Sequence, residues 1–366
     1  MGSVRKDTRG SGWQARYRDR SGRQRTKTFD ARSDAQRYLQ AVETELVRGT
    51  WTDPTLGKIQ FGEYTARWRQ SVAHLRPSTL ANLDSRLRKH VLPAFAARPI
   101  SNIEPVDVRA FVASLVDRGL SPASVKATYH VVSRICATAT IDGVIPRSPC
   151  IAVRLPRDVH HQEMHFLSAT QVRELAETVE ARYRVLIYTA AYTGMRWGEL
   201  AGLRVDRCDF LRGSVNVAQA LSEANGRVEV GPTKTGRSRT VSLPRFLVDL
   251  LAAHLAEFGS PDGFVFTSAE GAPLRRNFYR RHYRPAVART PLPQGLRFHD
   301  LRHTCVALLV AQGAHPKEIQ ERLGHSTIKL TFDRYGHLFP SLDDRLRDGL
   351  EETWSQSQRD PGEASA

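Results

Sequence analysis

The sequence predicts a multidomain protein. It reads as a small β-sheet backed by a helix, then an all-α domain, then a larger, mainly α (α+β) domain with a small β-sheet. Three observations predict this. At 366 residues the chain exceeds the size at which one hydrophobic core usually suffices. Apolar residues alternate near the N-terminus, recur with helical spacing from Phe61 onward, and alternate again in short runs after Val215. Two stretches without periodicity, residues 51–58 and 146–165, separate these regions as linkers.

The first module spans residues 1–55. Trp13, Ala15 and Tyr17 alternate as a strand, Asp19-Arg20-Ser21-Gly22 supplies a turn, and residues 23–29 read as the returning strand. Ser33-Asp34-Ala35-Gln36 has the form of a capping box. The helix it opens carries Ala35, Leu39, Val42 and Leu46 on one face and stops at Gly49. Residues 1–27 hold nine Lys/Arg and two acidic side chains, which suits a cationic sheet that reads a groove or, more plainly, a solvated basic hairpin.

Residues 56–145 are helical throughout. Ser78 precedes a stripe of Leu80, Leu83, Leu87 and Val91. A second helix from Pro105 carries Val108, Phe111, Val112 and Leu115 and closes at Gly119. Ser121 and Pro122 form an N-cap and first-turn pair for a third, which ends near Gly143. The last domain, residues 166–350, opens with a capping box at Ser168 and Gln171 and has its best apolar run at residues 183–203. Strands are expected at 215–220, 228–230 and 240–243, with 233–239 as a hairpin-like turn and helices resuming from Pro244 to Tyr335. The polar tail, residues 351–366, is expected to be disordered.

Charge narrows the partner. Lys+Arg total 54 against 38 Asp+Glu, a formal charge of +16, which favours a polyanion because cationic side chains displace condensed counterions from phosphates. An anionic membrane surface competes, but no basic amphipathic helix dominates the chain. Arg86, Arg88, Lys89, Lys126 and Arg134 of the helical domain could touch phosphates or simply be surface. The four cysteines form no C-x-x-C pair, so neither a disulfide framework nor a thiolate zinc site is suggested. No signal-like or membrane-length apolar run is seen, which gives a cytoplasmic expectation.

Chemistry concentrates in three clusters. The first is Tyr192-Thr193-Gly194-Met195-Arg196-Trp197-Gly198-Glu199-Leu200, in which Gly194 permits a helix break ahead of Arg196. The second is Gly231-Pro232-Thr233-Lys234-Thr235-Gly236-Arg237-Ser238-Arg239, which puts a lysine at a turn. The third is His299-Asp300-Leu301-Arg302-His303, then Leu323-Gly324-His325, then Arg334-Tyr335. His299 and Arg302 share a helix face, and a guanidinium fork suits two oxygens of one phosphate.

These clusters closely resemble the tyrosine recombinase, or phage integrase, family. Its signature is an Arg in the first box, a Lys on a β-hairpin, His-x-x-Arg, Leu-Gly-His and then a nucleophilic Tyr, and all occur here in order. The resemblance covers residues 166–350 with high specificity. More loosely it reaches residues 56–145, as the family's SAM-like core-binding domain, and residues 1–55, as the arm-type DNA-binding domain of larger integrases.

It implies cleavage and rejoining of DNA through a 3′-phosphotyrosyl intermediate at Tyr335, for integration or excision of a mobile element. Arg196 and Arg302 clamp the non-bridging oxygens, and no metal or nucleotide cofactor is required. A phenol with a pKa of about 10 is inert, so an imidazole such as His299 takes its proton. By resemblance Lys234 protonates the departing 5′ oxygen, His325 hydrogen-bonds the scissile phosphate, and Glu199 orients the site. Implied partners are double-stranded core and arm attachment sites, a tetramer of this chain that passes through a Holliday junction, and a host DNA-bending protein and excisionase. The site of action is the bacterial cytoplasm and nucleoid.

Rival readings account for less. His299 and His303 have zinc-protease spacing, but Asp300 replaces the glutamate and Arg302 would crowd a dication. A non-catalytic DNA-binding regulator leaves the six clustered residues unexplained. A type IB topoisomerase shares the tyrosine chemistry without matched sites, and chromosome-dimer resolvases usually lack a module like residues 1–55. His303, His282, His337 and Trp197 are read as packing or surface residues. Tyr192, Tyr279 and Tyr283 lack the Leu-Gly-His element ahead of them.

Overall fold

A computed structural model describes residues 2–358 except 9, 20, 21, 49, 50, 52, 54, 158–162, 235, 340 and 341, with the backbone alone at 48 and 342–346. The expected turn residues Arg20 and Ser21, the helix stop Gly49 and the end of the tail from 359 lie outside this set. The chain divides into two compact units, residues 1–161 and 162–366.

In the first unit, β1 (Ser3–Lys6), β2 (Trp13–Arg18) and β3 (Gln24–Phe29) form an antiparallel sheet in that order, backed by α1 (Arg32–Arg48). Ala15 and Tyr17 of β2 meet Ala35, Leu39 and Val42 of α1, as the two periodicities require. β1 was not expected from sequence: Val4 is its only apolar residue, and an edge strand needs little more. Residues 51–58 also do more than link. Trp51 packs edge-on against Tyr17, and Arg25 reaches back to Asp53.

The helices that follow are α2 (Phe61–Ser71), α3 (Pro77–Arg86), α4 (Leu92–Phe95), α5 (Pro105–Asp117) and α6 (Pro122–Ile141). Ser121 caps α6 by accepting from the Ser124 N–H at 3.3 Å. Between α3 and α4, Leu87–Val91 forms a π-helical turn just ahead of Pro93. A proline has no N–H to donate and its ring crowds the carbonyl four residues back, so the widened turn relieves both problems. Cys150, Val153 and Leu155 pack on the helical core, so the start of the expected linker belongs to this bundle.

The second unit begins with α7 (Ala169–Thr178), α8 (Ala181–Thr193) and α9 (Trp197–Ala201). The strands are β4 (Cys208–Asp209), β5 (Ser214–Val217), β6 (Gln219–Ala224), β7 (Arg227–Pro232) and β8 (Arg239–Ser242). They make two sheets, β4-β5-β8 and β6-β7. The hairpin is therefore β6–β7, turned by Asn225 and Gly226, both at positive φ. The expected hairpin-like turn at 233–239 instead connects one sheet to the other.

Helices α10 (Arg245–Phe258), α11 (Arg284–Ala288), α12 (Asp300–Ala311), α13 (Pro316–Leu323) and α14 (Ile328–Tyr335) follow. The expected helical run from Pro244 is broken after Phe258, where Gly259, Pro261, Gly263, Gly271 and Pro273 punctuate a looped segment with two isolated bridges. The expected disorder from residue 351 is also corrected. The correction holds for residues 351–357, which belong to α15 (Leu342–Ser357), with Leu350 and Trp354 exposed. Among the described residues no helix is long and apolar enough to cross a membrane.

Candidate active site

The site is assembled where α8, α9, β8, α12, α13 and α14 converge. Gly194 ends α8 in the left-handed conformation, φ +66°, and turns the chain out so that Arg196 caps α9. A side chain at Gly194 would strike Leu323 and Cys305, so closeness as well as φ demands glycine.

Glu199 is the electrostatic keystone. It is buried on α9 and accepts from the Arg196 backbone N–H at 2.9 Å and from Arg196 Nη1 at 2.9 Å. Arg239, the first residue of β8, donates Nη1 and Nη2 to the same carboxylate at 3.1 and 2.7 Å. Burial opposes the charge, but the Arg239 and Arg196 guanidiniums outweigh it and hold the carboxyl at about 2. Arg196 also reaches the Gly324 carbonyl at 3.3 Å, and Arg239 Nε the Arg322 carbonyl at 2.7 Å, which ties α9 and β8 to the end of α13.

Arg302 lies on the buried face of α12. Its guanidinium donates to the Gly194 carbonyl and, at 2.7 Å, to the Leu323 carbonyl. Burial, and then Arg196, depress its pKa to about 9, which leaves it cationic at neutral pH. His325 follows Gly324, itself left-handed at φ +64°. Its ring lies parallel to that of Tyr335 with centroids 6.4 Å apart, and Nδ1 meets the Thr331 hydroxyl at 3.0 Å. Burial first, then Arg302 and Arg196, lower His325 to about 3, so it is neutral.

Tyr335 ends α14 and is 1% exposed, packed with Val306, Ile319 and Leu323. Its hydroxyl meets Nδ1 of His303 at 2.8 Å. Burial raises the phenol's pKa, with Arg302 and Arg334 pulling against it, so the resting phenol keeps its proton.

Of the residues read from sequence, Arg196, Glu199, Arg302, His325 and Tyr335 come together. Two stand apart. Lys234 is exposed in the connection after β7, where Gly236 at φ +71° and a Thr233–Arg237 contact of 2.7 Å shape the turn. His299 is the exposed N-cap residue of α12, and its ring stands perpendicular to that of His303 at 5.0 Å. The imidazole on the phenol is His303, which the sequence reading took for packing. Arg239 was quoted in its motif without a role. Its position three residues past Gly236, opening a strand, was the available signal.

A buried tyrosine hydroxyl, two guanidiniums and two neutral imidazoles can carry a phosphate through displacement by the phenol. Comparison with known proteins gives the same class. Residues 165–341 match the phage integrase family, and residues 60–116 match the phage integrase N-terminal SAM-like domain. A putative prophage phiRv2 integrase of Mycobacterium tuberculosis is 30% identical over 345 residues, which cover 89% of this chain and 88% of that protein. The integrase of Mycobacterium phage D29 is 27% identical over 321 residues, 83% of each chain. Among solved structures, the Tn1549 transposon integrase in complex with a circular intermediate DNA superposes with a TM-score of 0.69. It is 19% identical, over 80% of this chain and 99% of that one. A lambda integrase dimer bound to a core site gives 0.59 at 19% identity, over 90% and 93%. The chain belongs to the phage integrase family and is a tyrosine-type site-specific recombinase.

Proposed function

We propose that this chain cuts and rejoins double-stranded DNA at specific sites, integrating or excising a mobile element through a 3′-phosphotyrosyl bond at Tyr335. The observation that carries the reading is the convergence of buried Tyr335 and Arg302 with part-buried Arg196 and His325 at one site. Phosphodiester cleavage spreads negative charge over the non-bridging oxygens, and fixed guanidiniums meet that charge without reorganising. Arg196 and Arg302 take this role, His325 donates to the same phosphate, and Glu199 fixes Arg196. Lys234 protonates the 5′ oxygen by folding its exposed turn over the bound DNA. The phosphotyrosyl bond conserves the energy of the broken phosphodiester, so no nucleotide is consumed.

Residues 1–55 bind arm-type sites, 56–145 grip the core site with 166–350, and four copies exchange strands through a Holliday junction. A lambda integrase tetramer has been solved on such a junction. A host bending protein and an excisionase complete the proposed partners, in the bacterial cytoplasm.

The test is a plasmid carrying two copies of the DNA that flanks this chain's gene. The chain is expected to recombine the copies, whereas relaxation of any supercoiled plasmid without recombination would indicate a topoisomerase. Cleavage is expected to persist at its full rate in excess EDTA, because guanidiniums do the work of a metal; loss on chelation and return with magnesium would refute that role.

A further inference from the structure

We propose that His303 is the proton acceptor for Tyr335, with Asp300 steadying the imidazolium that results. The inference rests on Tyr335 being the nucleophile. Its basis is a hydrogen bond from the phenol to an imidazole with a buried carboxylate nearby, which the family signature of Arg, Lys, His-x-x-Arg, Leu-Gly-His and Tyr does not include. Tyr335 Oη lies 2.8 Å from His303 Nδ1, and on the far side of the ring Nε2 lies 4.0 Å from Asp300 Oδ1. Asp300 is fully buried and held from one side by Arg297, through its backbone N–H at 2.7 Å, Nε at 3.1 Å and Nη2 at 2.7 Å. With Nε2 carrying the ring hydrogen toward Asp300, Nδ1 turns its lone pair to the phenol. At 4.0 Å Asp300 is too far to hydrogen-bond the ring and acts on it as a nearby negative charge that favours the imidazolium.

Every charged group near the ring can be named. Asp300 and Arg302 share its helix, His299 and Arg297 lie just ahead of it, and Arg334 and Tyr335 face it from α14. Burial, the largest effect, lowers His303. Asp300 opposes this, while Arg297, Arg334 and Arg302 add to it, and the imidazole comes to rest at about 4. It is therefore neutral and able to accept at physiological pH, beside a phenol that burial keeps protonated. His299 is exposed, and among the described contacts its ring meets His303 rather than the phenol.

As Tyr335 Oη forms its bond to phosphorus, its proton passes to His303 Nδ1. The bond from phosphorus to the 5′ oxygen breaks, its electron pair goes to that oxygen, and Lys234 supplies the proton. Rejoining reverses each transfer, and His303 returns its proton to the departing phenolate.

The experiment follows single-turnover adduct formation by the full chain on duplexes cut from the DNA flanking its gene, after the wild type has mapped the cleavage position. Each duplex is made with oxygen or with sulfur at the 5′-bridging atom of the scissile phosphate. His303→Asn places an amide oxygen where Nδ1 was, so the phenol's hydrogen bond survives but the proton has no acceptor. It is expected to slow the reaction by about 10²–10⁴-fold on both duplexes, because the lost step lies on the nucleophile's side. Lys234→Ala is expected to fail on oxygen and recover on sulfur, which leaves without a proton. Between about pH 6 and pH 8 the wild-type rate should be flat, while that of His303→Asn should climb as hydroxide takes over.

A His303→Asn rate within a few-fold of wild type, with the same flat profile, would overturn the proposal. If that variant does not fold, the Nδ1 resonance of His303 decides: it should move between the wild type and Tyr335→Phe, and an unmoved resonance would equally overturn it. Tyr335→Phe separates the two readings. Adducts that persist in it remove the nucleophile itself, whereas their loss beside an active His303→Asn removes only the base.

Discussion

Tyr335→Phe is expected to abolish covalent protein–DNA adducts while leaving DNA binding and the fold intact. The substitution removes one oxygen from a ring that is otherwise held by Val306, Ile319 and Leu323, so packing survives. Only the hydrogen bond to His303 is lost, and its imidazole keeps Asp300 behind it. A modest loss of stability, about 1 kcal/mol, follows from one missing hydrogen bond. Chemistry is lost altogether, because no other described tyrosine shares the cage. Tyr283 is fully buried with its hydroxyl on the Arg297 carbonyl at 3.2 Å, and Tyr192 packs edge-on against Phe246. Gel-shift titration beside a denaturing gel reads both halves of the expectation. Denaturant-resistant adducts in the variant would end the account.

Glu199→Ala is expected to cost far more stability than any exposed charge change, about 3–5 kcal/mol, as breaking a buried ion pair usually does. The variant leaves the Arg239 and Arg196 guanidiniums facing each other across the space the carboxylate filled. Their remaining bonds to the carbonyls of Arg322 and Gly324 cannot neutralise them. For a unit of this size the loss lowers the melting temperature by roughly 10 °C. Glu199→Gln keeps the shape and some hydrogen bonds and should fall between the variant and the wild type. Calorimetry of the three proteins checks the order; a Glu199→Ala melt equal to wild type would show that the carboxylate does not hold the cage.

Much of this was legible in the residues, and the legible part has a common physical basis. Capping boxes and apolar stripes are local, so the helices opened by Ser121 and Ser168 form as their sequences require. Five residues named from motif spacing come together in the structure, helped by local breaks written in glycines such as Gly194, ahead of Arg196, and Gly324, ahead of His325. What sequence spacing could not supply was closure between distant elements. His303 meets a tyrosine 32 residues away, and Arg239 meets a glutamate 40 residues away. The reading by helix face put His299 beside Arg302 and stopped there, whereas α14 lies over the next turn and selects His303. The strands were misassigned for the same reason, since β7 and β8 look like the arms of one hairpin until their partners β6 and β5 are known.

The central claim is that one phenol oxygen displaces a sugar oxygen at phosphorus. It is tested most directly by trapping the intermediate on a duplex with a 5′-bridging sulfur, digesting the protein and locating the attached nucleotide by mass spectrometry. The nucleotide is expected on Tyr335, joined through its 3′ phosphate. Attachment to any other residue, or through a 5′ phosphate, would contradict the account.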